Sequence, residues 1–263
     1  MGVIRSFFIV LVSVLLFVSF VGLNLFGILS LSLNYDQVQK AAPTIANDLI
    51  QDFNLSSEIQ RVYPELQLYC LNNSDYVFSA KGYTFDIPCS SVNQGDNAII
   101  NEGVNDLIHQ VYYTSYSCNF LDCAKSTQIP LFLISQKAYD YWTNKFYIFL
   151  VSSLIFLIIL FLLTEKKSNA SIISGILLTA SSILFIKFDA IINSFSDKIV
   201  YQFLTIFFSQ AFYVSLRFLI LGILILIAGI VFKLFNIGMF ISNLIGKIKK
   251  IPDKSVKDSA KKK

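Results

Sequence analysis

The chain has 263 residues, of which 55% are hydrophobic and only 14% are charged. Soluble domains carry about 25% charged residues. This composition excludes a disordered protein, a coiled coil and a DNA-binding domain, although the net charge of +4 could suggest a nucleic-acid partner. We therefore predict an α-helical integral membrane protein with the lipid bilayer as its first partner and no nucleic-acid partner.

Four stretches reach the roughly 20 apolar residues that cross a bilayer core. The first has no charge between Arg5 and Asp36, and it is about twice as long as the apolar region of a secretory signal peptide. A retained signal anchor is therefore favoured over a cleaved signal, for which Ser30, Ser32 and Asn34 would offer small residues. The predicted membrane segments are 1–33 (with a short cytoplasmic N-terminus), 142–165, 166–189 and 212–236.

The distribution of charge predicts the orientation of these segments. Residues 34–141 carry twelve acidic and five basic side chains, whereas the connection between the second and third spans holds Lys166 and Lys167. Nine lysines follow from Lys233 to the end of the chain. Because lysine and arginine near span ends favour the cytoplasmic side, both termini are predicted to be cytoplasmic in the cell membrane. Residues 34–141 and 190–211 are then extracytoplasmic.

All four cysteines fall in the predicted extracytoplasmic segment, where thiols are commonly oxidised. The favoured pairing joins Cys70 to Cys89 and Cys118 to Cys123, and two other pairings stay open. A structural zinc site with Cys118 and Cys123 as half of its ligands is the alternative. Two sequons in the same segment, at Asn54 and Asn72, are candidate glycosylation sites.

Hydrophobic spacing predicts an α+β fold for residues 34–141. We expect a helix over 35–62 and two or three short strands over 66–89, with Cys70 and Cys89 at the two ends of the sheet. A second helix is expected from 97 to about 116, and a buried strand over 129–135. Aromatic residues over 139–147 would anchor the second span at the interface.

The segments around the fourth span are ambiguous. Residues 190–211 show an apolar stripe that predicts an interfacial amphipathic helix, and a single tilted helix over 197–235 is the competing prediction. The tail, 237–263, is basic, and its last 17 residues hold eight lysines and two aspartates. That part is expected to be disordered and attracted to anionic lipid headgroups, or to act only as a positive stop that sets the topology.

Polar side chains inside the spans are few, and such residues are retained mainly for packing or function. Asn24 is interpreted as a helix-packing residue, or else as part of a polar path. Lys187 and Arg217 lie near the outer ends of their spans, where they could pair with Asp189 or contact a lipid headgroup or substrate.

Small residues predict close packing of the third and fourth spans. Gly175 and Thr179 lie on one face of the third span, together with Ser171 and Ser182. Gly222 and Gly229 offer a partner groove on the fourth span. The pattern favours a packed bundle over a pore.

Sequence motifs for catalysis or metal binding are scarce. His109 is the only histidine, so a multi-histidine metal site cannot form in one chain. Asp106 could orient His109, but we expect a solvent-facing histidine. Asp48 and Asp52 could share a cation, and ordinary solvated charges are favoured. No cofactor and no metal are predicted.

The layout of four spans and a large cysteine-bearing first outer segment is similar to that of tetraspan proteins. The paired-cysteine signature of claudin-like proteins and the Cys-Cys-Gly motif of tetraspanins are both missing from the sequence. The predicted fold is a four-transmembrane-helix bundle with an α+β disulfide-bonded extracytoplasmic domain. A domain of this length can sustain its own core.

The sequence predicts a non-enzymatic protein whose outer domain mediates protein–protein or cell-surface interaction. Tyr112, Tyr113 and Tyr116 are candidate contact residues, although core packing is expected for at least one of them. An oligomeric channel or transporter subunit, with Asn24 and Arg217 on a shared path, is the alternative. A membrane enzyme acting through His109 and Asp106 is the third and least favoured hypothesis.

Overall fold

The structure is a computed structural model that describes residues 2–41, 55–80, 83–120, 122–123, 130–188 and 204–248. Four of its helices are long and apolar enough to cross a membrane, in agreement with the predicted membrane architecture. The elements in chain order are α1 (Gly2–Ser32), α2 (Leu55–Tyr69), β1 (Asp75–Ala80), β2 (Tyr83–Pro88), α3 (Cys89–Val92), α4 (Asp96–Tyr113), a 3-10 helix (Pro130–Ile134), α5 (Gln136–Leu163), α6 (Lys167–Ile186) and α7 (Ala211–Ile248).

The four apolar helices α1, α5, α6 and α7 form a bundle in which α6 packs closely on α7 and α1 on α5. A Cβ atom added at Gly175 would lie 2.6 Å from the backbone nitrogen of Leu226, and one at Gly222 would lie 2.6 Å from Thr179 Oγ1. Side chains larger than hydrogen are therefore excluded at both positions, which confirms the predicted close contact between these helices. At the α1–α5 contact, a Cβ at Gly22 would overlap the ring of Phe149.

Polar contacts hold the end of the bundle where α5 turns into α6. The Arg5 guanidinium forms an ion pair with Glu165, and its Nε donates a hydrogen bond to the carbonyl of Leu163 at 2.7 Å. The start of α1 is thereby fixed to the turn that follows α5. The opposite end of the bundle, where α1 ends and α5 begins, is called the domain end below.

The region between α1 and α5, called the domain, contains a two-stranded antiparallel sheet whose pairing runs from Asp75–Pro88 to Ala80–Tyr83. A strand was expected at Leu66, Leu68 and Cys70, but Leu66 and Leu68 lie in α2, and Cys70 follows its last residue. That expectation is wrong because this segment is helical, and Leu66 lies on the helix face that packs against the hairpin and α3. The Cys70–Cys89 disulfide therefore joins the residue after α2 to the first residue of α3, which directly follows β2, rather than the two ends of a sheet.

The buried strand expected over 129–135 is also wrong in its described part. Residues Pro130–Ile134 form a 3-10 helix, and Ser135 caps α5 by accepting a hydrogen bond from the Ala138 backbone nitrogen. The β1–β2 sheet has no third strand among the residues that the structure describes. Phe132 and Ile134 are buried as predicted, but they reach the core from a tight helical turn rather than from a strand.

The domain has two hydrophobic cores, one at each half of α4. The inner core packs the domain on the bundle and includes Leu33, Val38, Ile108, Val111, Tyr112, Phe120, Phe132, Ala138 and Ile206. The outer core consists of Leu66, Ile87, Val92 and Ile99, with Val62, Tyr63, Cys70 and Tyr76 packed against it. The second disulfide, Cys118–Cys123, lies at the inner core, so each core has one disulfide, in the pairing favoured from the sequence.

Other predicted segments are described only in part. Residues 35–41 are helical after a turn at 33–34, and 42–54 lie outside the described residues. In the predicted amphipathic segment, 204–207 are helical and 208–210 form a turn before α7, within an apolar span that runs over Leu204–Phe235. Residues 197–203, the rest of the competing single-helix prediction, lie outside the described residues. Helix α7 continues to Ile248, beyond the predicted end at 236. The last part of the basic tail, 249–263, lies outside the described residues.

Candidate functional site

Hydrogen bonds as well as apolar contacts fix the domain to the bundle. The Tyr112 hydroxyl donates to the carbonyl of Leu33, just after α1, at 3.1 Å. The Gln210 backbone nitrogen donates to Ser32 Oγ at 3.1 Å, and its side-chain amide donates to Gln37 Oε1 at 2.9 Å. Helix α4, the end of α1 and the start of α7 are thus held together, so the domain is docked on the helices rather than tethered to them.

The three tyrosines predicted as contact residues have different environments. Tyr112 is buried, and this burial raises the pKa of its hydroxyl above the ordinary value. Tyr116 is partly buried, with its ring edge-on to Phe132 at 5.0 Å. Tyr113 is half exposed and packs against the ring of Tyr35. The pKa of Tyr35 is raised above its ordinary value, and burial is the largest cause. The structure therefore leaves Tyr113 as the tyrosine of this group with the most accessible surface.

His109 is exposed, as expected, and its ring lies 4.8 Å from that of Tyr113. Asp106 Oδ2 accepts a hydrogen bond from the backbone nitrogen of Asp86 at 3.0 Å, which ties the hairpin to α4. No hydrogen bond joins Asp106 to His109 in the described part of the chain. The arrangement therefore offers no oriented acid–base pair. Asp48 and Asp52 lie outside the described residues.

An exposed apolar surface that the sequence analysis missed lies at the end of α2. It consists of Leu68, Tyr69 and Leu71, which are 68%, 46% and 76% exposed, and it is called the apolar corner below. Its chain segment is held by the disulfide at Cys70 and by ring contact between Tyr69 and Tyr76 at 5.4 Å. Assigning Leu68 to a strand hid this surface, since a helical projection separates it from the buried Leu66.

The sequon at Asn72 lies in the exposed turn that follows α2, beside the apolar corner. The side-chain amide of the next residue, Asn73, donates to the carbonyl of Tyr69 at 2.9 Å. The Asn72 side chain is accessible, as a glycosylation site requires. The other predicted sequon residue, Asn54, lies outside the described residues.

Asn24 is fully buried in the bundle. Its amide nitrogen donates to the carbonyl of Phe20 at 3.0 Å and to Ser181 Oγ of α6 at 3.3 Å. Its Oδ1 atom accepts no hydrogen bond from the described residues. This geometry is that of a helix-packing residue, and the neighbouring helix, which the sequence did not identify, is α6.

Lys187 and Arg217 are both exposed at the domain end of the bundle. Lys187 directly follows α6, and Asp189, its predicted partner, lies outside the described residues. Arg217 lines a cleft of about 410 Å³ between α5 and α7, with α1 as its floor. The predicted shared path through Asn24 and Arg217 is not formed within one described chain, because Asn24 faces α6 and Arg217 faces this cleft.

The described residues contain no group of three or more histidine, cysteine, aspartate or glutamate side chains that could hold a metal ion. Both cysteine pairs are disulfides, so their thiolates are not available as zinc ligands. A scan against protein-family models and searches of curated proteins and of solved structures find no match to this chain.

Proposed function

We propose that this chain is a non-enzymatic multi-pass membrane protein whose extracytoplasmic domain binds another protein through the apolar corner. The observation that carries this proposal is the exposure of Leu68 and Leu71, two large apolar side chains on adjacent turns. Exposed apolar patches on folded domains commonly mark interaction sites. A tyrosine beside two leucines also resembles the aromatic and apolar centre of many interfaces.

The corner is preorganised for binding. The Cys70–Cys89 disulfide fixes its backbone to the hairpin, with 5.3 Å between the two Cα atoms. A rigid surface loses less conformational entropy on association than a mobile loop. The corner adjoins the outer core, whose described members contribute no residue to the bundle. Helix α4 separates the corner from the inner core, which is the part of the domain that the membrane helices already cover.

The cell-membrane orientation is part of this proposal. Both disulfides lie at the domain end, whereas Lys166, Lys167 and Lys233 lie toward the other end of the bundle. Oxidised cysteines outside and lysines inside are the expected arrangement. Protease added to intact cells should cut the domain and spare an epitope placed after Lys263. Loss of that epitope would contradict the orientation.

Photocrosslinking in cells tests the binding site. A photoreactive residue at Glu65, which is exposed and one turn before Leu68, should capture a discrete partner. The same probe at Asn101, exposed on α4, is the matched control and should not. Adding Leu68→Ser and Leu71→Ser to the Glu65 probe should remove the adduct. An adduct that persists at full yield would overturn the proposal, and a partner that is a second copy of this chain would identify the complex as a homo-oligomer.

The oligomeric channel or transporter subunit is a second candidate, and the unpaired Oδ1 of buried Asn24 is the observation that favours it. An unsatisfied buried acceptor is costly unless an internal water, such as one on a polar path, supplies a donor. The close contact of α6 with α7 argues against a path between those two helices. Ion or solute flux through reconstituted vesicles that disappears in Asn24→Leu would favour this candidate, and flux equal to that of empty vesicles would remove it.

A further inference from the structure

The cleft at the domain end of the bundle has a floor shaped by glycine. A Cβ added at Gly27 of α1 would lie 3.3 Å from the Phe146 ring and 3.7 Å from the Phe218 ring. These rings come from α5 and α7, so the two walls nearly meet over the backbone of α1. The cleft between α5 and α7 above this floor has an open volume of about 410 Å³, within the range of small-molecule sites.

One side of the cleft opens laterally, toward the space that lipid occupies around a membrane bundle. Leu31, Tyr147 and Leu221 line the cleft and are 43%, 57% and 49% exposed. A ligand could therefore enter from the bilayer without crossing the bundle. The occupant expected at such an opening is a molecule already dissolved in the membrane.

Most polar lining residues lie toward the domain end of the cleft. Arg217 lies about 9 Å along α7 from its start, and Thr143 lies about 10 Å along α5 from its start. Thr143 Oγ1 is hydrogen-bonded to Ser30 Oγ at 2.7 Å. Phe146 and Leu221 lie about 15 Å along the same helices and are apolar. The cleft thus has its arginine and hydroxyl side chains, together with Leu31 and Val214, toward the domain end, and mainly apolar side chains toward the middle of the bundle, as an amphiphile requires.

The charge of the polar end selects an anionic group. Arg217 has no ion-pair partner among the described residues, whereas Arg5, at the opposite end of the bundle, is paired with Glu165. An unpaired cation inside a span is costly, and arginine at this depth reaches toward the headgroups. Arginine also binds phosphate through two parallel hydrogen bonds.

We propose that this cleft binds one phospholipid, with its phosphate on the Arg217 guanidinium and one acyl chain against Phe146 and Leu221. The Tyr139 and Thr143 side chains lie on the α5 wall at the depth of the phosphate and ester groups. The remainder of the lipid stays in the bilayer beside the open face of the cleft. This site is separate from the apolar corner, so it does not depend on the partner-binding proposal.

Native mass spectrometry of the full-length protein, released from detergent with added phosphatidylglycerol, tests this proposal. Wild type should retain one lipid with an affinity that Arg217→Gln weakens about tenfold, the usual scale for losing a charged hydrogen-bonded pair. Lys187→Gln is the matched control, since Lys187 is an exposed cation at the same end of the bundle and does not line the cleft. Unchanged binding in Arg217→Gln, or an equal loss in Lys187→Gln, would overturn the proposal.

Two further measurements separate a specific site from general lipid adhesion. Diacylglycerol with the same acyl chains lacks the phosphate and should bind at least tenfold more weakly than phosphatidylglycerol. Leu221→Trp keeps Arg217 but fills the apolar part of the cleft, and it should also remove the retained lipid. Equal retention of diacylglycerol, or full retention of phosphatidylglycerol in Leu221→Trp, would show that the cleft is not the binding site.

Discussion

The two cores of the domain differ in what supports them. The inner core includes Ala138 of α5, together with Leu33 and Ile206 from the segments next to α1 and α7, so it is continuous with the membrane helices. The outer core is built from local elements that are closed by the Cys70–Cys89 disulfide. Helix α4 connects the two, with Ile99 and Val111 about 18 Å apart along its axis. Burial in the outer core should therefore stabilise only the outer part of the domain, whereas the inner core couples the domain to the bundle.

The largest effect should come from truncating one core at a time. Phe132→Ala in the inner core and Ile87→Ala in the outer core each remove a side chain that is 1% exposed. We expect the free energy of unfolding to fall by about 3 to 5 kcal/mol in Phe132→Ala and by about 2 to 5 kcal/mol in Ile87→Ala, because each substitution leaves a cavity. Hydrogen exchange in nanodiscs should show faster exchange at the domain ends of α1 and α5 only in Phe132→Ala. If Ile87→Ala accelerates the same amides equally, the two cores are one cooperative unit.

The two disulfides should contribute unequally. Cys70 and Cys89 are 19 residues apart, whereas Cys118 and Cys123 are 5 apart, and a longer closed loop restricts the unfolded chain more. Changing both cysteines of a pair to serine should cost about 3 kcal/mol for the first disulfide and about 2 kcal/mol for the second. Denaturant titration of the full chain measures both losses. The reverse order would show that the inner core depends on its disulfide despite the support of the helices.

A smaller loss of stability is expected when one hydrogen bond between α4 and the segment after α1 is removed. Tyr112→Phe removes the donor to the Leu33 carbonyl and leaves a buried acceptor unpaired, at a cost of about 1 to 2 kcal/mol. Tyr113→Phe is the matched control on the neighbouring half-exposed ring and should change stability by less than about 0.5 kcal/mol. Equal losses in the two variants would contradict the assignment of this bond.

The same tyrosine should make stability depend on alkaline pH. Burial raises the pKa of Tyr112 in the folded protein above its unfolded value of about 10, so folding favours the protonated hydroxyl. Its contribution is fully present below pH 10 and is lost as the pH rises toward the folded pKa. Wild type should therefore lose stability above pH 10 more steeply than Tyr112→Phe. Parallel curves for the two proteins would remove Tyr112 as the cause.

The membrane spans were predictable because length and hydropathy are properties of a continuous segment. Leu66 shows where such local patterns fail. The positions Val62, Leu66 and Cys70 fit one helix face, while Leu66, Leu68 and Cys70 also alternate as a strand would, and short apolar runs do not distinguish the two. Contact with Ile87 and Val92, more than twenty residues away, resolves this ambiguity in favour of α2.

The cleft could be predicted only in fragments. Arg217 and Leu221 lie on one face of their helix, as do Thr143 and Phe146, and both spacings are visible in the sequence. Which helices stand beside one another depends on packing at glycines such as Gly27, whose neighbours come from α5 and α7. The cleft therefore follows from the assembled bundle, and Arg217 alone was identifiable as a candidate residue.

The smallest change in stability is expected from substitutions in the apolar corner, next to the outer core. Leu68→Ser and Leu71→Ser change exposed side chains, so each should alter the free energy of unfolding by less than about 0.5 kcal/mol. Leu66→Ala, two residues before Leu68 but buried in the outer core, should cost about 2 to 5 kcal/mol in the same denaturant titration. Stable corner variants that lose their crosslinked partner would assign these leucines to binding rather than folding. A loss in Leu71→Ser as large as that in Leu66→Ala would mean that the outer core extends through the corner, and the surface proposed for a partner would then belong to the fold.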